Sequence, residues 1–230
     1  MADRNTLTIP PQENLRDRVA DALRAALIAG ELRPGVIYSA PVLAAQFGVS
    51  ATPVREAMLD LSREGLVVAV RNKGFRVTEM TARELDEFTA IRRLIEVPTI
   101  GQITSTATRP QLEELRPVAR EIVDAARVHD VLRYLDSDRK FHLGLLTLSG
   151  NAHLVEVVGD LRKRSRLYGL NNLDQTGRLV ASAEEHIELL DLMIEGDEQG
   201  AEQCMLRHLS HVRSLWAEGS SSEQPSVLRL

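Results

Sequence analysis

Leu43–Val77 reads LAAQFGVSATPVREAMLDLSREGLVVAVRNKGFRV, and the punctuation of this stretch decides the fold. Leu43, Ala44 and Phe47 make a short apolar helix that stops at Gly48. Ser50-Ala51-Thr52-Pro53 opens a second helix, with Val54, Met58 and Leu61 on one face. Two short apolar runs follow, divided by Asn72-Lys73-Gly74, which has the composition of a tight reversal. Helix, turn, helix and a hairpin with a basic tip is the outline of a winged helix-turn-helix. That layout presents polar and cationic side chains to a major groove, so double-stranded DNA is the expected partner.

Upstream, Leu15, Val19, Ala22, Leu23, Ala26 and Leu27 recur at helical spacing, Gly30 stops the helix, and Leu32-Arg33-Pro34-Gly35 is a turn. Residues 1–12 read as a flexible arm, with Pro10-Pro11 opposing helix. Downstream, Thr81-Ala82-Arg83-Glu84 is a capping box. It opens a region without a convincing strand, where the periodicity predicts helices over 82–107, 111–127, 130–148, 152–170, 178–195 and 198–217. Arg109-Pro110, Ser149-Gly150-Asn151, Asn171-Asn172 and Gly196-Asp197 separate them, and Pro98 is expected to kink the first. The expected fold class is mainly α. A winged helix-turn-helix over 13–79 precedes an all-α antiparallel bundle over 80–217 that binds an effector and dimerises, and 218–230 form a disordered polar tail.

Composition sets bounds on this picture. The 230 residues are 43% hydrophobic but only 3% aromatic, so the cores must be aliphatic. No apolar run approaches the ~20 residues of a membrane span, and the N-terminus lacks the apolar stretch of a secretory signal. The single Cys204 excludes an internal disulfide framework and fits a reducing cytosol, so a cytoplasmic protein is expected. The net charge of −5 is unevenly spread: residues 1–77 hold ten Lys/Arg against eight Asp/Glu, a balance of +2, whereas 78–230 hold eighteen against twenty-five, a balance of −7. The mildly basic half is the one that carries the winged motif.

In a helix-turn-helix the first residues of the second helix reach base edges. Ser50, Thr52 and Arg55 stand there. Ser50 or Thr52 is suited to cap the helix, leaving backbone N–H groups aimed at a phosphate. Arg55 is placed to grip guanine or phosphate. Arg71 and Lys73, at a tip that Gly74 allows to reverse, would meet the backbone or the minor groove. The plainer alternative makes Ser50 and Thr52 caps only and Arg55 the partner of a surface carboxylate.

GVSATPVREAM, followed by EGLV and KGFRV, resembles the N-terminal domain of GntR-type bacterial transcription regulators, whose usual pattern is G-V-S-R-T-P-V-R-E-A-L. Ala51 stands where many members carry an arginine and Ala40 where many carry a glutamate. Without that arginine, the operator of typical members is not expected to be the operator here.

The acidic half holds a second constellation. Asp138 and His142 are four apart and share a helix face. His186 falls on the stripe of Ala183, Leu190 and Met193, and His208 on that of Ala201, Met205, Val212 and Leu215. Each histidine points inward with the apolar residues of its helix, as metal ligands in bundle cores do. One carboxylate and three imidazoles suit Zn²⁺, Ni²⁺ or Mn²⁺, whereas calcium and magnesium prefer oxygen shells. The alternative is that each is a hydrogen-bonded core histidine. His129, His153 and His211 follow no such pattern and read as surface residues.

DRKFHLGLLTLSGN, then EHIELLDLMIEGD and AEQCMLRH, resembles the effector domain of the FadR subfamily, the FCD domain. The resemblance implies a helical bundle, and it implies Asp138, His142, His186 and His208 as metal ligands. It sets aside the acyl-CoA-binding branch, which lacks this ligand set. It further implies a small carboxylate effector, with Arg92, in an R-x-x-L-E pattern ending at Glu96, as its clamp and Asn151 reaching the same pocket. A surface ion pair for Arg92 and a helix cap for Asn151 are the alternatives. The expected protein is a regulator, not an enzyme. It is expected to be a repressor binding a pseudo-palindromic operator as a homodimer, with its grip set by a small organic acid. The rivals are a metal-dependent enzyme fused to a DNA-binding module and a regulator whose metal is purely structural.

Overall fold

The computed structural model describes residues 15–28, 30–165 and 178–220. The expected arm and the Asn171-Asn172 breaker lie outside them, as does most of the expected tail. The elements run α1 (Leu15–Ile28), β1 (Ile37–Tyr38), α2 (Ala40–Phe47), α3 (Ala51–Arg63), β2 (Val67–Val70), β3 (Gly74–Val77), α4 (Ala82–Thr106), α5 (Arg109–Glu113), α6 (Arg116–Arg127), α7 (Val131–Thr147), α8 (Ala152–Ser165), α9 (Arg178–Glu195) and α10 (Glu198–Ser220). The protein is mainly α: a winged helix-turn-helix followed by a helical bundle. No helix among the described residues is long and apolar enough to cross a membrane.

The helix-turn-helix forms where its punctuation places it. The Ser39 hydroxyl accepts from the Val42 N–H, Pro41 fits the first turn of α2, and Gly48 ends the helix in the left-handed region at φ 66°. α3 then buries Val54, Ala57, Met58 and Leu61, each without exposed surface. They pack on Val19 and Leu23 of α1 and on Val67, Phe75 and Val77 of the sheet. Fully buried side chains of the size of Val54, Met58 and Leu61 contribute about 1.5–3 kcal/mol each.

The wing carries an element that the sequence reading did not anticipate. β1 pairs antiparallel with β3, with Ile37 opposite Arg76 and Tyr38 opposite Phe75, giving a sheet of order β1-β3-β2. Two residues are too few to display an alternating pattern. The trace of β1 is at Gly74, where φ is +131° and an added Cβ would lie 2.3 Å from the Tyr38 carbonyl oxygen. Only glycine lets the strands approach this closely.

A second core, separate from the first, joins Ile100 and Ile103 of α4 to Ile122 of α6, Phe141 and Leu145 of α7, Leu190 of α9 and Met205 of α10. Both bonds of the capping box that opens α4 are made: Thr81 N–H to Glu84 at 2.8 Å and Glu84 N–H to Thr81 at 3.2 Å. α4 continues through Pro98 to Thr106. The single helix expected over 111–127 is two. Thr108 and Gln111 form a capping box that starts α5, and Pro110 sits in its first turn rather than breaking it. Pro117, which has no N–H to continue the ladder, falls in the first turn of α6. α10 runs to Ser220, so Gly219, expected to begin the tail, is helical.

A cleft of about 510 Å³ lies between the two cores. Asp21, Arg24 and Glu64 line it from the winged side, and Asp136 and Arg139 of α7 and Lys163 of α8 from the bundle side.

Candidate functional site

Two surfaces carry chemistry. On the first, Ser50, Thr52 and Arg55 at the start of α3 are all exposed, as are Arg71 and Lys73 at the wing tip. Ser50 occupies the cap position, but its hydroxyl makes no capping bond, and Thr52 lies within the first turn. Ser50 is thus the cap residue by position, without the side-chain bond expected of it, and Thr52 is not the cap. Among the described residues no carboxylate pairs with Arg55, Arg71 or Lys73, so the surface-pair alternative for Arg55 is not what is found. Asn72 holds φ 59°, which turns the tip between Val70 and Gly74.

The second site lies inside the bundle. Asp138 and His142 project from α7, His186 from α9 and His208 from α10, and all four are buried. One ligand-type atom from each falls within 4.8 Å of every other. His142 Nε2 is 3.1 Å from His186 Nε2, and Asp138 Oδ1 is 3.2 Å from His186 Nε2 and 3.6 Å from His142 Nε2. An ion ~2.0–2.1 Å from each nitrogen would leave adjacent ligand atoms roughly 3–3.4 Å apart, so the spacing fits.

The surroundings of the rings settle which atoms are offered. His186 Nδ1 lies 3.0 Å from the Ala183 carbonyl oxygen, which can only accept, so Nδ1 carries the proton. His208 Nδ1 donates to Glu185 Oε2 at 2.8 Å. His142 Nδ1 faces Glu96 Oε2 at 3.9 Å. With protons turned outward, the Nε2 lone pairs of His186 and His208 join the Asp138 oxygen at the centre. Carboxylates and carbonyls behind metal-binding imidazoles characteristically fix the tautomer in this way. Burial, then the Arg162 charge, hold His142 well below the usual imidazole range, and burial also lowers His208. Fully buried Phe141 packs edge-on against the His142 and His186 rings, with centroids 5.6 and 5.2 Å away. The buried cluster is compatible with a metal site, and its donor atoms are of the kind that suit a borderline divalent metal.

Of the two residues expected to receive an effector, Arg92 is brought to this site and Asn151 is not. Arg92 is buried, not on a helix surface, and its Nε donates to Glu96 Oε1 at 2.6 Å. Burial, followed by the nearby Arg162 charge, lowers its pKa to about 10. Asn151 is exposed, and its Oδ1 accepts from the Leu154 N–H at 3.0 Å, capping α8. The side chain is used in satisfying an orphan donor of the helix. His129 and His153 are exposed as expected, and His211 is half-exposed but bonded to Glu185 at 2.6 Å.

Two residues of the site were missed. Arg162 donates from Nη1 to Glu96 Oε2 at 3.0 Å and from Nη2 to Asp138 Oδ2 at 3.3 Å. It sits in a cationic run, Arg162-Lys163-Arg164, that reads as solvated surface, yet it is one turn beyond buried Val158 on the same face. Glu185 is likewise one turn before buried Leu189. For both, i,i+4 spacing from an apolar residue was the available signal.

The model of the gntR family of bacterial regulatory proteins matches residues 15–77, and that of the FCD domain matches residues 87–211. The chain is 29% identical over 198 residues to the uncharacterized HTH-type transcriptional regulator YdhC of Bacillus subtilis (strain 168), covering 82% of this chain and 85% of that one. It is 29% identical over 192 residues to the HTH-type transcriptional regulator McbR of Escherichia coli (strain K12), covering 82% and 86%. The solved structure of E. coli McbR superposes with a TM-score of 0.67 at 26% identity, over 90% of this chain and 99% of that one. The gluconate operon transcriptional repressor of Bacillus subtilis (strain 168) is 24% identical over 174 residues, covering 76% and 70%.

Proposed function

Because the chain belongs to the GntR family of bacterial transcription regulators and carries an FCD domain, we propose that it is a repressor whose grip on an operator is set by a small carboxylate at a metal site in the bundle. Residues 13–79 read DNA, and residues 80–217 sense the acid and dimerise. Asp138, His142, His186 and His208 hold the ion, zinc first and nickel or manganese next. The reading is carried by one observation: imidazole nitrogens and a carboxylate oxygen converge while hydrogen-bond acceptors stand behind two of the rings. A bound divalent ion would supply a Lewis-acidic anchor for a carboxylate oxygen.

The chain's own residues do the rest. Arg92 clamps the acid, since a guanidinium fork matches a carboxylate. Ser50, Thr52 and Arg55 read a half-site, while Arg71 and Lys73 hold phosphate. A homodimer places two such helices on a pseudo-palindrome. Transmission has a short route. Asp138 faces the site while its near neighbours Asp136 and Arg139 face the cleft beside the reading head, and Arg162 and Lys163 divide in the same way. A shift of α7 or α8 on binding the acid therefore moves the cleft wall. Coupling of about 1–3 kcal/mol, 5- to 150-fold in DNA affinity, is ordinary for such devices.

The test is fluorescence anisotropy on an operator selected from random duplexes by the zinc-loaded protein. At least one small carboxylate is expected to weaken binding tenfold or more, and chelator-treated protein is expected to ignore it. DNA affinity indifferent to every acid, with and without metal, would overturn the reading.

A further inference from the structure

α4 and α10 run antiparallel against each other. Arg93 donates from Nη2 to Ser210 Oγ at 2.7 Å, the Glu202 side chain fills the space where Gly101 lacks a Cβ, and Ser105 donates to Glu198 Oε2 at 2.7 Å. The outer side of α4 is apolar where a surface helix is ordinarily polar. Glu87, Ile91, Leu94, Pro98 and Gln102 follow one another at three- and four-residue steps, and all are exposed. Leu94 is 77% exposed, more than any other large apolar side chain among the described residues. Ile91 is 42% exposed, and Leu206 of α10, one turn from both Glu202 and Ser210 on the row that meets α4, is 44% exposed. Single exposed apolar residues are ordinary, but a contiguous apolar stripe with a polar rim marks an association surface.

The rim of this stripe complements itself. At one end Arg83, with its side chain 87% exposed, makes a surface pair with Glu87 at 2.9 Å. At the other end stands exposed Glu198, beside Ser105. A second copy of the chain, turned about a two-fold axis at Leu94, lays its α4 antiparallel on this one. Ile91 then faces the partner's Pro98, Glu87 faces the partner's Gln102, and Arg83 faces the partner's Glu198. Apolar groups meet at the centre and opposite charges at both ends, as a closed isologous contact requires. The groove between α6 and α9 offers less: Arg116 meets Asp191 at 2.8 Å and Arg127 meets Glu184 at 3.5 Å, so its charges answer one another within one chain.

The length of α4 agrees with the task. The helix starts at Ala82, soon after the last wing strand ends at Val77. At ~1.5 Å of rise per residue, antiparallel pairing centred on Leu94 holds the two Ala82 positions about 37 Å apart. Half-sites one turn of duplex apart are separated by about 34–36 Å. From this we infer that the Ile91–Leu94–Pro98 face of α4, bordered by Leu206, is the surface on which two copies of the chain associate, antiparallel about Leu94. The inference rests on the homodimer proposed above and names the face that forms it.

Sedimentation equilibrium of the full-length protein without DNA tests it, together with cysteine cross-linking. The wild type is expected to be a dimer at micromolar concentration. Leu94→Glu sets two carboxylates against each other at the axis and should raise the dissociation constant about 100-fold or more, with the helical circular dichroism unchanged. Leu94→Cys should cross-link to its own copy under mild oxidation, since Cys204 has no exposed surface. Glu87→Cys alone should not cross-link, but Glu87→Cys combined with Gln102→Cys should. Cross-linking by Glu87→Cys alone would mean parallel helices and overturn the arrangement. A dimer that Leu94→Glu leaves intact and Leu94→Cys does not trap overturns the face and leaves the homodimer standing. A wild type that is monomeric off DNA, with a melt lowered by Leu94→Glu, overturns it in favour of a stripe covered by the chain's own residues. A wild type monomeric both on and off an operator removes the homodimer as well.

Discussion

Replacing His142 and His186 together by alanine is expected to strip the divalent metal from the protein and to abolish its melting response to a chelator. In the wild type, metal at a thousandfold excess over its dissociation constant stabilises the folded state by about 4 kcal/mol. For a chain of this size that is about 8–16 °C of melting temperature, since each kcal/mol moves it by about 2–4 °C. EDTA should therefore lower the wild-type melt by that amount and leave the double variant where it is. The comparison is made within each protein, so cavities left by the lost rings do not enter it. Elemental analysis that finds the double variant fully loaded would remove both residues from the ligand set.

Arg55→Ala is expected to have the largest effect on DNA. Arg55 is exposed on α3 and is not among the residues Val54, Ala57, Met58 and Leu61 that the helix buries, so its loss leaves the core untouched. An arginine at a base edge contributes about 1–3 kcal/mol, so a dimer losing two is expected to lose about 2–6 kcal/mol, roughly 30-fold to above 10⁴-fold in affinity. The loss should be specific: binding to unrelated duplex changes far less. Arg71→Ala with Lys73→Ala should behave in the opposite way, weakening all sequences alike and flattening the salt dependence by about 0.9 for each phosphate no longer neutralised. Equal operator affinity in Arg55→Ala would place base reading elsewhere on the head.

What was legible in the sequence was local. The helix-turn-helix could be read because Gly48, Pro53 and Gly74 each mark a backbone event at their own position. The histidines could be read because His142, His186 and His208 each lie at helical spacing from buried apolar neighbours. Long-range relations were not legible. Arg162 meets Glu96 across 66 residues and Asp138 across 24, and nothing in a cationic run announces which member turns inward. β1 was missed because two residues show no period, and the break between α5 and α6 because the periodicity over 111–127 carries no sign that Pro117 starts a helix. Asn151 was assigned to the pocket by resemblance, whereas its position ahead of α8 already favoured the cap it makes.

The central claim is that α7, α9 and α10 close three imidazoles and one carboxylate round a single ion, and zinc K-edge X-ray absorption of the loaded protein tests it most directly. The expected first shell is three imidazole nitrogens with oxygen, at about 2.0–2.1 Å, and no sulfur. The Cys204 thiol faces the Glu185 carbonyl oxygen at 3.8 Å and is not among the four residues whose ligand atoms converge. A sulfur shell near 2.3 Å, or an oxygen shell without imidazole scattering, would contradict the account.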